Sequence, residues 1–513
     1  MSKSKTEKII TKKPRIKTQQ LVYTPLSEKE KNFSKIDISE EILFKIGALA
    51  DETGVEVYVV GGYVRDYFLN RDRTDFDCTV VGDAIAFANL FAKRMRSNAV
   101  IYEKFKTALV PVGELKVEFV GTRKEVYSVD SRNPSVTEGT LEEDLARRDF
   151  TINAMAASLN KVKFGEVIDL FNGAEDLQSK ILRTPLDPVI TYNDDPLRMM
   201  RLARFASQLG FDTEKSSFDA IKGLCDRISI ISKERISDEL LKIISSQFPS
   251  KGFKVLFESG LLKFIFPELN NLSGVEVAQD DMSAYYHKDV FWHSLKVLDN
   301  IAKVTDNIWL RFAALVHDIA KPKSKKFIPG IGWTFHGHEE FGARMLEKIF
   351  RNMKLPMNHV EYIQKLVRLH QRPMVLVDEG VTDSAIRRLA FTAGDALEDL
   401  FMLCKADITT KNPNLTEKYI SNYEIVFQKV MEVQEKDRLR EFQSPVRGEM
   451  IMEICNLPAS KSIGIIKSMI EEAILDGIIA NDFDEAMNFF LKHKEEWIDL
   501  IFTGQLGKVR KKY

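Results

Sequence analysis

Apolar residues change their spacing within the first strongly patterned stretch of the chain. Residues 58–60 form a short run of strand formers that ends at Gly61 and Gly62, and residues 64–68 then show the spacing of a helix. Adjacent glycines let the backbone approach a phosphate chain closely, and a helix N-terminus offers unpaired N–H groups and the positive end of a dipole. The pattern therefore predicts a strand, a tight turn and a helix, with Gly61, Gly62 and Arg65 as candidate contacts to a nucleotide.

A second predicted strand carries Asp75 and Asp77. Because residues i and i+2 of a strand point to the same face, the two carboxylates project together, and such a pair is costly unless a cation lies between them. Mg²⁺ takes one or two protein carboxylates together with phosphate oxygens, so this pair beside the glycine turn predicts a magnesium site. The alternative is an ordinary turn next to a solvated strand face.

A third carboxylate is expected on a neighbouring strand. Residues 108–112 and 115–120 predict two strands around a turn at Gly113 and Glu114. Glu118 lies in the second of these strands, which neighbours the first carboxylates if the sheet is antiparallel or mixed. Glu118 would then help to hold a second metal, the usual arrangement for phosphoryl transfer.

Residues 145–155 combine two arginines, an aspartate and an asparagine with strongly apolar neighbours. Arginine forks suit phosphates, and aspartate or asparagine side chains suit ribose hydroxyls. The two arginines, Asp149 and Asn153 therefore make the segment suggestive of nucleotide contacts. Taken alone, the segment also fits the salt-bridged start of a helix.

A clear helix is predicted from Asp195, with this residue as N-cap and Pro196 at the first helical position. The stripe expected to be buried comprises Met199, Leu202, Ala203, Ala206 and Leu209. Arg198, Arg201 and Arg204 lie outside that stripe. Asp195 and Arg198 are neighbours on one turn, so from spacing alone the simplest interpretation is that Asp195 caps the helix and Arg198 pairs with it.

Five segments, in order, resemble the motifs of the bacterial class II tRNA nucleotidyltransferase and poly(A) polymerase family, within the polymerase-β-like superfamily. They are residues 61–66 with Asp75 and Asp77, 147–154, 169–183, 194–198 and 232–240. The resemblance covers residues 41–270, and the third segment corresponds to a flexible hinge in the family. The fourth segment begins with Asp194, where the family often has glutamate.

The resemblance implies that Asp75 and Asp77 hold catalytic Mg²⁺, with Glu118 as the third carboxylate. It implies that Asp195 and Arg198 read the incoming base. The full set of residues implied to bind the nucleotide is Gly61, Gly62, Arg65, Arg148, Asp149, Asn153, Asp195, Arg198 and Arg201.

Histidines and aspartates recur in successive helical segments of the second half of the chain. They are His293, His317, Asp318, His338, His370 and Asp407. These ligand types suit a divalent transition metal or a dinuclear site. The pattern resembles an HD-type phosphohydrolase domain, which some tRNA nucleotidyltransferases carry. His336 is an alternative to His338, and the alternative for the whole domain is an inactive RNA-binding body.

Composition narrows the setting of these sites. The 513-residue chain has a formal net charge of −1, so any RNA contact depends on local patches. Its four cysteines are scattered, and no apolar run has transmembrane length or resembles a signal core, which predicts a cytoplasmic protein without membrane contact. Residues 1–36 predict a flexible basic arm or a plain disordered tail, and residues 508–512 form a small basic patch.

We therefore expect an α+β protein with a polymerase-β-like nucleotidyltransferase head built on a mixed β-sheet, followed by an all-α neck, an HD body and a helical tail. The expected divisions are the arm at 1–36, the head at 37–175, the neck with the base-reading motif at 176–270, the HD domain at 271–415 and the tail at 416–513.

The leading functional hypothesis is template-independent addition of C and A to the 3′ end of tRNA from CTP and ATP, with release of pyrophosphate. Alternatives within the family are a poly(A) polymerase, which the near-zero net charge disfavours, and an enzyme that adds only C or only A. From another class, the protein is an HD phosphohydrolase whose head merely binds RNA, although the paired aspartates argue against it. A non-catalytic RNA-binding protein would need both sites to be inactive.

Overall fold

The structure is a computed structural model of the chain. It describes residues 33–73, 75–103, 106–128, 131–275, 289–329, 332–377, 382–438 and 444–502. The chain divides into two compact units, residues 1–121 with 155–169, and residues 122–154 with 170–513. Most of the predicted basic arm and the basic patch at 508–512 lie outside the described residues.

Most of the strands belong to the first 170 residues of the chain. They are β1 Val57–Val60, β2 Asp75–Val80, β3 Val100–Tyr102, β4 Thr107–Val112, β5 Leu115–Gly121, β6 Arg123–Ser128, β7 Ser131–Glu138, β8 Met155–Ser158, β9 Val167–Asp169, β10 Ile181–Leu182, β11 Asp212–Thr213, β12 Lys326–Ile328 and β13 Gly332–Thr334.

The helices dominate the chain beyond residue 170. They are α1 Glu41–Thr53, α2 Gly62–Phe68, α3 Ala84–Arg94, α4 Leu141–Ala146, α5 Gly173–Ser179, α6 Pro188–Asp194, α7 Leu197–Leu209, α8 Lys215–Leu224, α9 Lys233–Ile244, α10 Pro249–Glu258, α11 Leu262–Ile265, α12 Pro267–Asn270, α13 Val290–Ala302, α14 Ile308–Val316, α15 Lys321–Ser324, α16 His338–Met353, α17 Val360–Leu369, α18 Arg372–Val375, α19 Asp383–Ala393, α20 Leu397–Asp407, α21 Pro413–Arg438, α22 Gly448–Cys455, α23 Lys461–Leu475 and α24 Phe483–Phe502. Short 3₁₀ turns cover Thr151–Asn153, Lys161–Lys163, Cys225–Ile230, Met357–His359 and Gly394–Ala396.

The first unit is built on a seven-stranded sheet with the order β3-β4-β5-β2-β1-β8-β9. Strands β2 and β5 run parallel, and the other neighbouring pairs of this sheet are antiparallel. A parallel pair needs a crossover connection, which the chain supplies as α3, β3 and β4. The sheet is therefore mixed, as the sequence predicted.

Strand β5 separates a core face of this sheet from an open face. Phe119 packs against Phe87 and Phe91 of α3, with ring centroids 5.5 and 5.3 Å apart. Val117 and Phe119 are buried, whereas Glu118 between them is exposed. The period-two alternation of side chains thus places a carboxylate on the open side of a strand whose other side anchors a helix.

Helix α7 of the second unit is buried on most of its surface. The apolar stripe predicted for it is buried, but Arg198 and Arg204 are buried as well, which the sequence did not predict. Helices α9 and α10 both pack against α7, so the helix lacks the single wide solvent face that stripe analysis assumes. Glu239 of α9 lies 3.1 Å from Arg204 and compensates its buried charge.

The remaining helices of the second unit form two further clusters. Helices α13, α14, α17 and α20 pack on one another, and α16 packs along α17. Near the end of the described chain, α22, α23 and α24 enclose a core that includes Ile466, Ile470, Phe490 and Trp497.

The predicted fold class is confirmed, with local differences. Lys321 and Pro322 begin α15, because proline is compatible with the first turn of a helix. The two short pairs β10–β11 and β12–β13 interrupt the otherwise helical region. Among the helices that the structure describes, none has the length and apolarity needed to cross a bilayer.

Candidate functional site

The glycine turn has the conformation that its sequence predicts. β1 ends at Val60, Gly61 has φ +66° and ψ −116°, and α2 begins at Gly62. A positive φ is unstrained only for glycine, and the amide of Gly61 donates to the carbonyl oxygen of Met155 at 3.0 Å. Arg65, predicted to contact the nucleotide, makes a two-pronged contact with Asp66 at 2.9 and 2.7 Å. This contact fixes the direction of the guanidinium at the start of the helix.

Two of the three predicted metal carboxylates lie opposite each other in the sheet. In the parallel pair β2–β5, Asp77 is the register partner of Glu118, and both side chains are exposed. Asp75 is the partner of Lys116 two residues earlier, and its side chain lies outside the described residues. Register partners project to the same side of a sheet, so the open face presents a pair of carboxylates. Carboxylate oxygens on neighbouring strands are a donor set that fits Mg²⁺.

A group of side chains just before β2 was not predicted from the sequence. The guanidinium of Arg73 donates to Glu40 at 3.2 and 3.1 Å and lies 5.1 Å from the ring centroids of both Tyr63 and Tyr67. Tyr63 also donates to Glu40 at 2.6 Å. Burial alone would raise the pKa of Glu40, but the bonds from Tyr63 and Arg73 outweigh it and lower that pKa. Glu40 precedes α1, so no spacing in the sequence connects it with Arg73.

In the second unit, the two arginines before Asp149 are held by one buried carboxylate. Asp144 accepts from Arg147 Nε at 3.0 Å and from Arg148 at 3.2 Å. It lies in α4, whose start is stabilised by a capping box between Thr140 and Glu143. The interpretation of this stretch as a salt-bridged helix thus describes the contacts of Arg147 and Arg148.

Asp149 is buried and surrounded by donors. Its carboxylate accepts from Asn153 Nδ2 at 3.0 Å and from Arg201 Nε at 2.6 Å. Burial alone would raise its pKa, but Arg201 and Asn153 outweigh that effect and lower the pKa to about 2. Asp149 and Asn153, two predicted nucleotide contacts, therefore form one hydrogen-bonded group with a third, Arg201, which lies 52 positions away in the sequence.

Asp195 and Arg198 lie on the same turn and share a backbone bond, from the amide of Arg198 to the carbonyl oxygen of Asp195 at 2.9 Å, but their side chains are not paired in the described part of the chain. Asp195 accepts from the amide of Leu197 at 3.0 Å, so it caps α7, and its nearest cation is Arg235 at 3.8 Å. Arg198 donates to the carbonyl oxygens of Arg147 at 2.6 Å and of Thr191 at 3.4 Å. The capping interpretation is correct for Asp195, and the pairing with Arg198 is wrong. Two carbonyl oxygens within reach satisfy the buried guanidinium instead.

The structure brings all six predicted HD residues together. Asp318 lies 3.2 Å from His317, 3.2 Å from His338 and 3.9 Å from His370, measured between carboxylate oxygens and Nε2 atoms. Asp407 lies 2.8 Å from His293 and 3.4 Å from His317. The ligand atoms form two groups of three, His293 with His317 and Asp407, and Asp318 with His338 and His370. His336, the alternative to His338, is exposed and lies outside both groups.

The second ring nitrogen of each histidine is also engaged. The Nδ1 atoms of His317, His338 and His370 lie 2.8, 2.8 and 2.7 Å from the backbone carbonyl oxygens of Ala314, Phe335 and Val367, respectively. Because a carbonyl only accepts, Nδ1–H must donate, so each Nε2 is directed to the centre and is the atom that would bind a metal after losing any proton. His293 Nδ1 has the hydroxyl of Thr409 at 3.1 Å. Orientation of imidazoles by such outer contacts is typical of metal sites.

The electrostatics of this cluster are those of a cation site. Burial alone would lower the pKa of His317, but Asp318 and Asp407 outweigh it and raise the pKa to about 10. Burial together with His317 lowers the pKa of His370 to about 4. Nε2 of His317 and Oδ1 of Asp407 are buried and have no hydrogen bond of good geometry among the described residues. The six donors fit one or two divalent cations, which would displace the protons they share.

A cavity of about 300 Å³ opens onto the cluster. Sequence analysis missed several of its lining residues, namely Lys321, Gln371, Thr409, Tyr419 and Tyr423. Lys321 lies 2.8 Å from Asp318 and follows it by three residues, a spacing that was readable in the sequence. The two tyrosines come from α21, and only the packing of that helix brings them to the cavity.

Three family models match the chain in order. They are the poly(A) polymerase head domain over residues 57–183, a probable RNA-binding site of the polymerase over 210–272 and an HD domain over 290–398. A multifunctional CCA protein of Nitrosococcus oceani is 30% identical over 369 residues, which are 69% of this chain and 84% of that protein. The chain belongs to the tRNA nucleotidyltransferase and poly(A) polymerase family.

The chain matches different fractions of other members of the family. An A-adding tRNA nucleotidyltransferase of Geobacter sulfurreducens is 37% identical over 235 residues, which are 44% of this chain and only 26% of that protein. The fold is also that of a solved CCA-adding enzyme in its second apo form, with a TM-score of 0.60, 22% identity and coverage of 89% of this chain and 96% of that one. Both the polymerase-β-like head and the HD domain expected from the family are thus confirmed.

Proposed function

We propose that the protein adds C and A nucleotides to the 3′ end of tRNA without a nucleic-acid template, using CTP and ATP and releasing pyrophosphate. The observation that carries the proposal is the register pairing of Asp77 with Glu118 on the open face of the head sheet. In the same unit, the glycine turn at Gly61 leads into a helix. A carboxylate pair beside a phosphate-binding turn is what nucleotidyl transfer requires.

In the proposed reaction the 3′-hydroxyl of tRNA attacks the α-phosphate of the nucleotide, and pyrophosphate leaves. Asp75, Asp77 and Glu118 would hold Mg²⁺, which when bound neutralises developing charge and lowers the pKa of the hydroxyl. The turn at Gly61 allows the triphosphate to approach the backbone, and Arg65, held in direction by Asp66, supplies positive charge near the start of α2.

Asp149 and Asn153 are proposed to contact the ribose. Asn153 donates from Nδ2 to Asp149, so the amide is held beside the carboxylate, and an amide oxygen is the type of acceptor that a ribose hydroxyl needs. Arg201 binds the other oxygen of Asp149, so its first role is to orient that carboxylate. Arg148 would provide a donor to the triphosphate from a guanidinium anchored by Asp144.

Asp195 and Arg198 are proposed to select the base. Cytosine and adenine each present an amino donor beside a ring-nitrogen acceptor, which complements a carboxylate acceptor and a guanidinium donor. Uracil presents the opposite order. Asp195 holds its cap with Oδ1, while Oδ2 has only Arg235 at 3.8 Å within the described residues. The two carbonyl contacts of Arg198 fix the plane of its guanidinium.

A tRNA extension assay tests this function. Purified protein is given a tRNA that ends at the discriminator base, with CTP, ATP or both, and the products are sized. A defined C-C-A end is expected. A long A tail would identify a poly(A) polymerase, and extension with only one nucleotide would identify a C-adding or A-adding enzyme, the latter being the activity named for the Geobacter relative.

We also propose a second activity, metal-dependent hydrolysis of phosphate esters at the HD cluster. The observation in its favour is the pair of three-ligand groups, in which His317, His338 and His370 have Nδ1 bound to carbonyls. The six residues would hold a divalent transition metal, which supplies an activated water when bound. Release of phosphate from simple esters after addition of Mn²⁺, Co²⁺ or Ni²⁺ tests this activity. The absence of such release would indicate that the HD domain is an inactive RNA-binding body.

We further propose that the protein acts in the cytoplasm. The proposed tRNA substrate and the four cysteines without close spacing both fit that compartment.

A further inference from the structure

A basic and aromatic segment connects two of the HD ligands. Residues 319–338, between Asp318 and Glu339, contain four lysines and no carboxylate residue. Strands β12 and β13 form an antiparallel pair within this segment. We call β12, β13 and the adjoining residues from Lys323 the lysine–aromatic hairpin. A local concentration of charge stands out because the whole chain has a net charge of −1.

The hairpin exposes aromatic rings beside its lysines. Phe327 and Trp333 are cross-strand partners, with ring centroids 5.2 Å apart, and they are 60% and 38% exposed. Lys325 Nζ lies 3.9 Å from the centroid of the Trp333 ring. Lys323 and Lys326 are exposed, and neither makes an ion pair with any residue that the structure describes. Two rings and two lysines therefore face solvent within Lys323–Thr334, and Lys325 is partly exposed beside them. Stacking and phosphate contacts to a single strand need roughly such a footprint.

The position of the hairpin relates it to the HD cluster. It follows Asp318 and Lys321, which line the cavity, and it leads into His338, another residue of the cluster. Lys321 lies 5.6 Å from the ring of Phe335, which directly follows β13. A chain bound along the hairpin would thus be held beside the entrance to the cluster.

We propose that the lysine–aromatic hairpin docks single-stranded RNA. Bases would stack on Trp333 and Phe327, and phosphates would bind Lys323, Lys325 and Lys326. Single-stranded RNA is favoured over duplex RNA because only unpaired bases can stack on exposed rings. An anionic membrane is disfavoured because two rings on a short hairpin provide little apolar surface for insertion. Docking does not depend on hydrolysis, but delivery of an RNA end to the HD cluster rests on the proposed phosphohydrolase activity.

Binding of a labelled oligouridylate to the full chain tests the docking surface. Fluorescence anisotropy of Trp333→Ala and Phe327→Ala is expected to show about tenfold weaker binding for each ring removed. Phe391→Ala is the matched control, because Phe391 is 60% exposed like Phe327 and lies on α19. Photo-crosslinking of the same RNA is expected to label peptides containing residues 323–334. Unchanged affinity in both variants, or crosslinks only elsewhere, would overturn the proposal.

The lysines are tested through the salt dependence of binding. Replacing Lys323 and Lys326 by alanine is expected to reduce the slope of log affinity against log salt by about 1.4, because each phosphate contact to a single strand contributes about 0.7. The control pair is Lys303→Ala with Lys348→Ala, two exposed lysines, one directly after α13 and one in α16. An equal loss of binding to vesicles containing phosphatidylserine, or an equal effect on duplex RNA, would show that the surface recognises negative charge in general and would overturn the assignment to single strands.

A third measurement separates docking from hydrolysis. In Trp333→Ala, release of phosphate from an RNA 3′ end is expected to fall about tenfold in kcat/KM, while hydrolysis of a phosphorylated mononucleotide remains unchanged. Equal losses on both substrates would contradict docking, because they would place Trp333 in the support of the cluster. Absence of hydrolysis in the unmodified protein would refute the second activity and leave the binding measurements to decide the docking surface.

Discussion

The carboxylates of the head sheet and the six residues of the HD cluster represent two ways to prepare a metal site. Asp77 and Glu118 are exposed, lie on one strand pair and supply only oxygen. Asp318, His317, His338 and His370 are each less than 5% exposed, and the cluster they belong to mixes nitrogen with oxygen. The head carboxylates are supported by a sheet, whereas the imidazoles are supported by individual bonds to carbonyl oxygens.

The difference in burial and ligand type determines where the remaining ligands of each metal would come from. An open pair of carboxylates leaves most positions around a Mg²⁺ ion to water and substrate phosphates, so the metal is expected to arrive with the nucleotide. A buried cluster with oriented imidazoles has most of its donors before any substrate binds, so it is expected to retain a metal by itself. Substitutions that act on only one of the two sites can test this contrast.

The largest effect is expected at the head carboxylates. Asp77→Ala or Asp75→Ala should reduce kcat/KM for nucleotide addition by about 10³-fold or more, because charge stabilisation of the transition state is lost. Asp72→Ala, an exposed aspartate just before β2, is the control and should retain activity. Incorporation of labelled ATP and CTP measures the effect. Near-normal addition by either variant would remove the head face from the mechanism.

A second substitution should separate the two sites. His317→Ala with Asp318→Ala is expected to abolish phosphohydrolase activity and to weaken retention of a transition metal by about 100-fold or more, because it removes a member of each three-ligand group. Nucleotide addition should be spared. His336→Ala, two residues from His338 but exposed, is the control.

Metal content after dialysis, phosphate release and nucleotide addition are measured together on these variants, with circular dichroism to check folding. A folded double variant that has lost nucleotide addition would contradict the independence of the two sites.

Buried and exposed ion pairs are expected to contribute very differently to the free energy of unfolding. Arg201→Ala should lower the free energy of unfolding by about 3 kcal/mol, since the buried carboxylate of Asp149 loses its cation. Arg344→Ala, which breaks an exposed pair with Glu340, should cost about 0.5 kcal/mol or less. Urea unfolding at neutral pH measures both.

The pH dependence has a definite sign. The pKa of Asp149 is lowered to about 2, so its contribution to stability is present above the ordinary value of 3.8 and is lost as the pH falls towards 2. The stability difference between the unmodified protein and Arg201→Ala should therefore narrow between about pH 4 and pH 2. A difference that stays constant over this range would show that Arg201 acts through packing alone.

The smallest effect is expected at Asp195, which is partly exposed. Asp195→Asn should raise UTP incorporation relative to CTP by about tenfold, because an amide can donate to a uracil carbonyl. The change would be larger in a fully dehydrated pocket, where unpaired polar groups discriminate more strongly between bases. Asp187→Asn is a matched control, because Asp187 caps α6 by accepting from the amide of Val189 at 2.8 Å. The effect is measured as the relative kcat/KM for CTP, ATP and UTP on matched tRNA ends. Identical behaviour of the two variants would mean that Asp195 only caps its helix.

Local patterns in the sequence determined the elements around both sites. The glycine turn, the strand of Asp75 and Asp77 and the strand of Glu118 follow from short-range patterns, because side chains alternate in a strand and glycine adopts a positive φ without steric cost. The HD residues were found from their types and order. No spacing in the sequence, however, determined that His338 and not His336 joins the cluster.

Tertiary structure alone decided the partners. The pairing of Asp77 with Glu118 depends on a parallel crossover, and the burial of Arg204 depends on α9, which packs against α7 and supplies Glu239. The bonds of Arg73 to Glu40 and of Arg201 to Asp149 connect residues 33 and 52 positions apart. Such contacts depend on how elements pack, and hydrophobic periodicity records only which side of an element is buried, not which neighbour buries it.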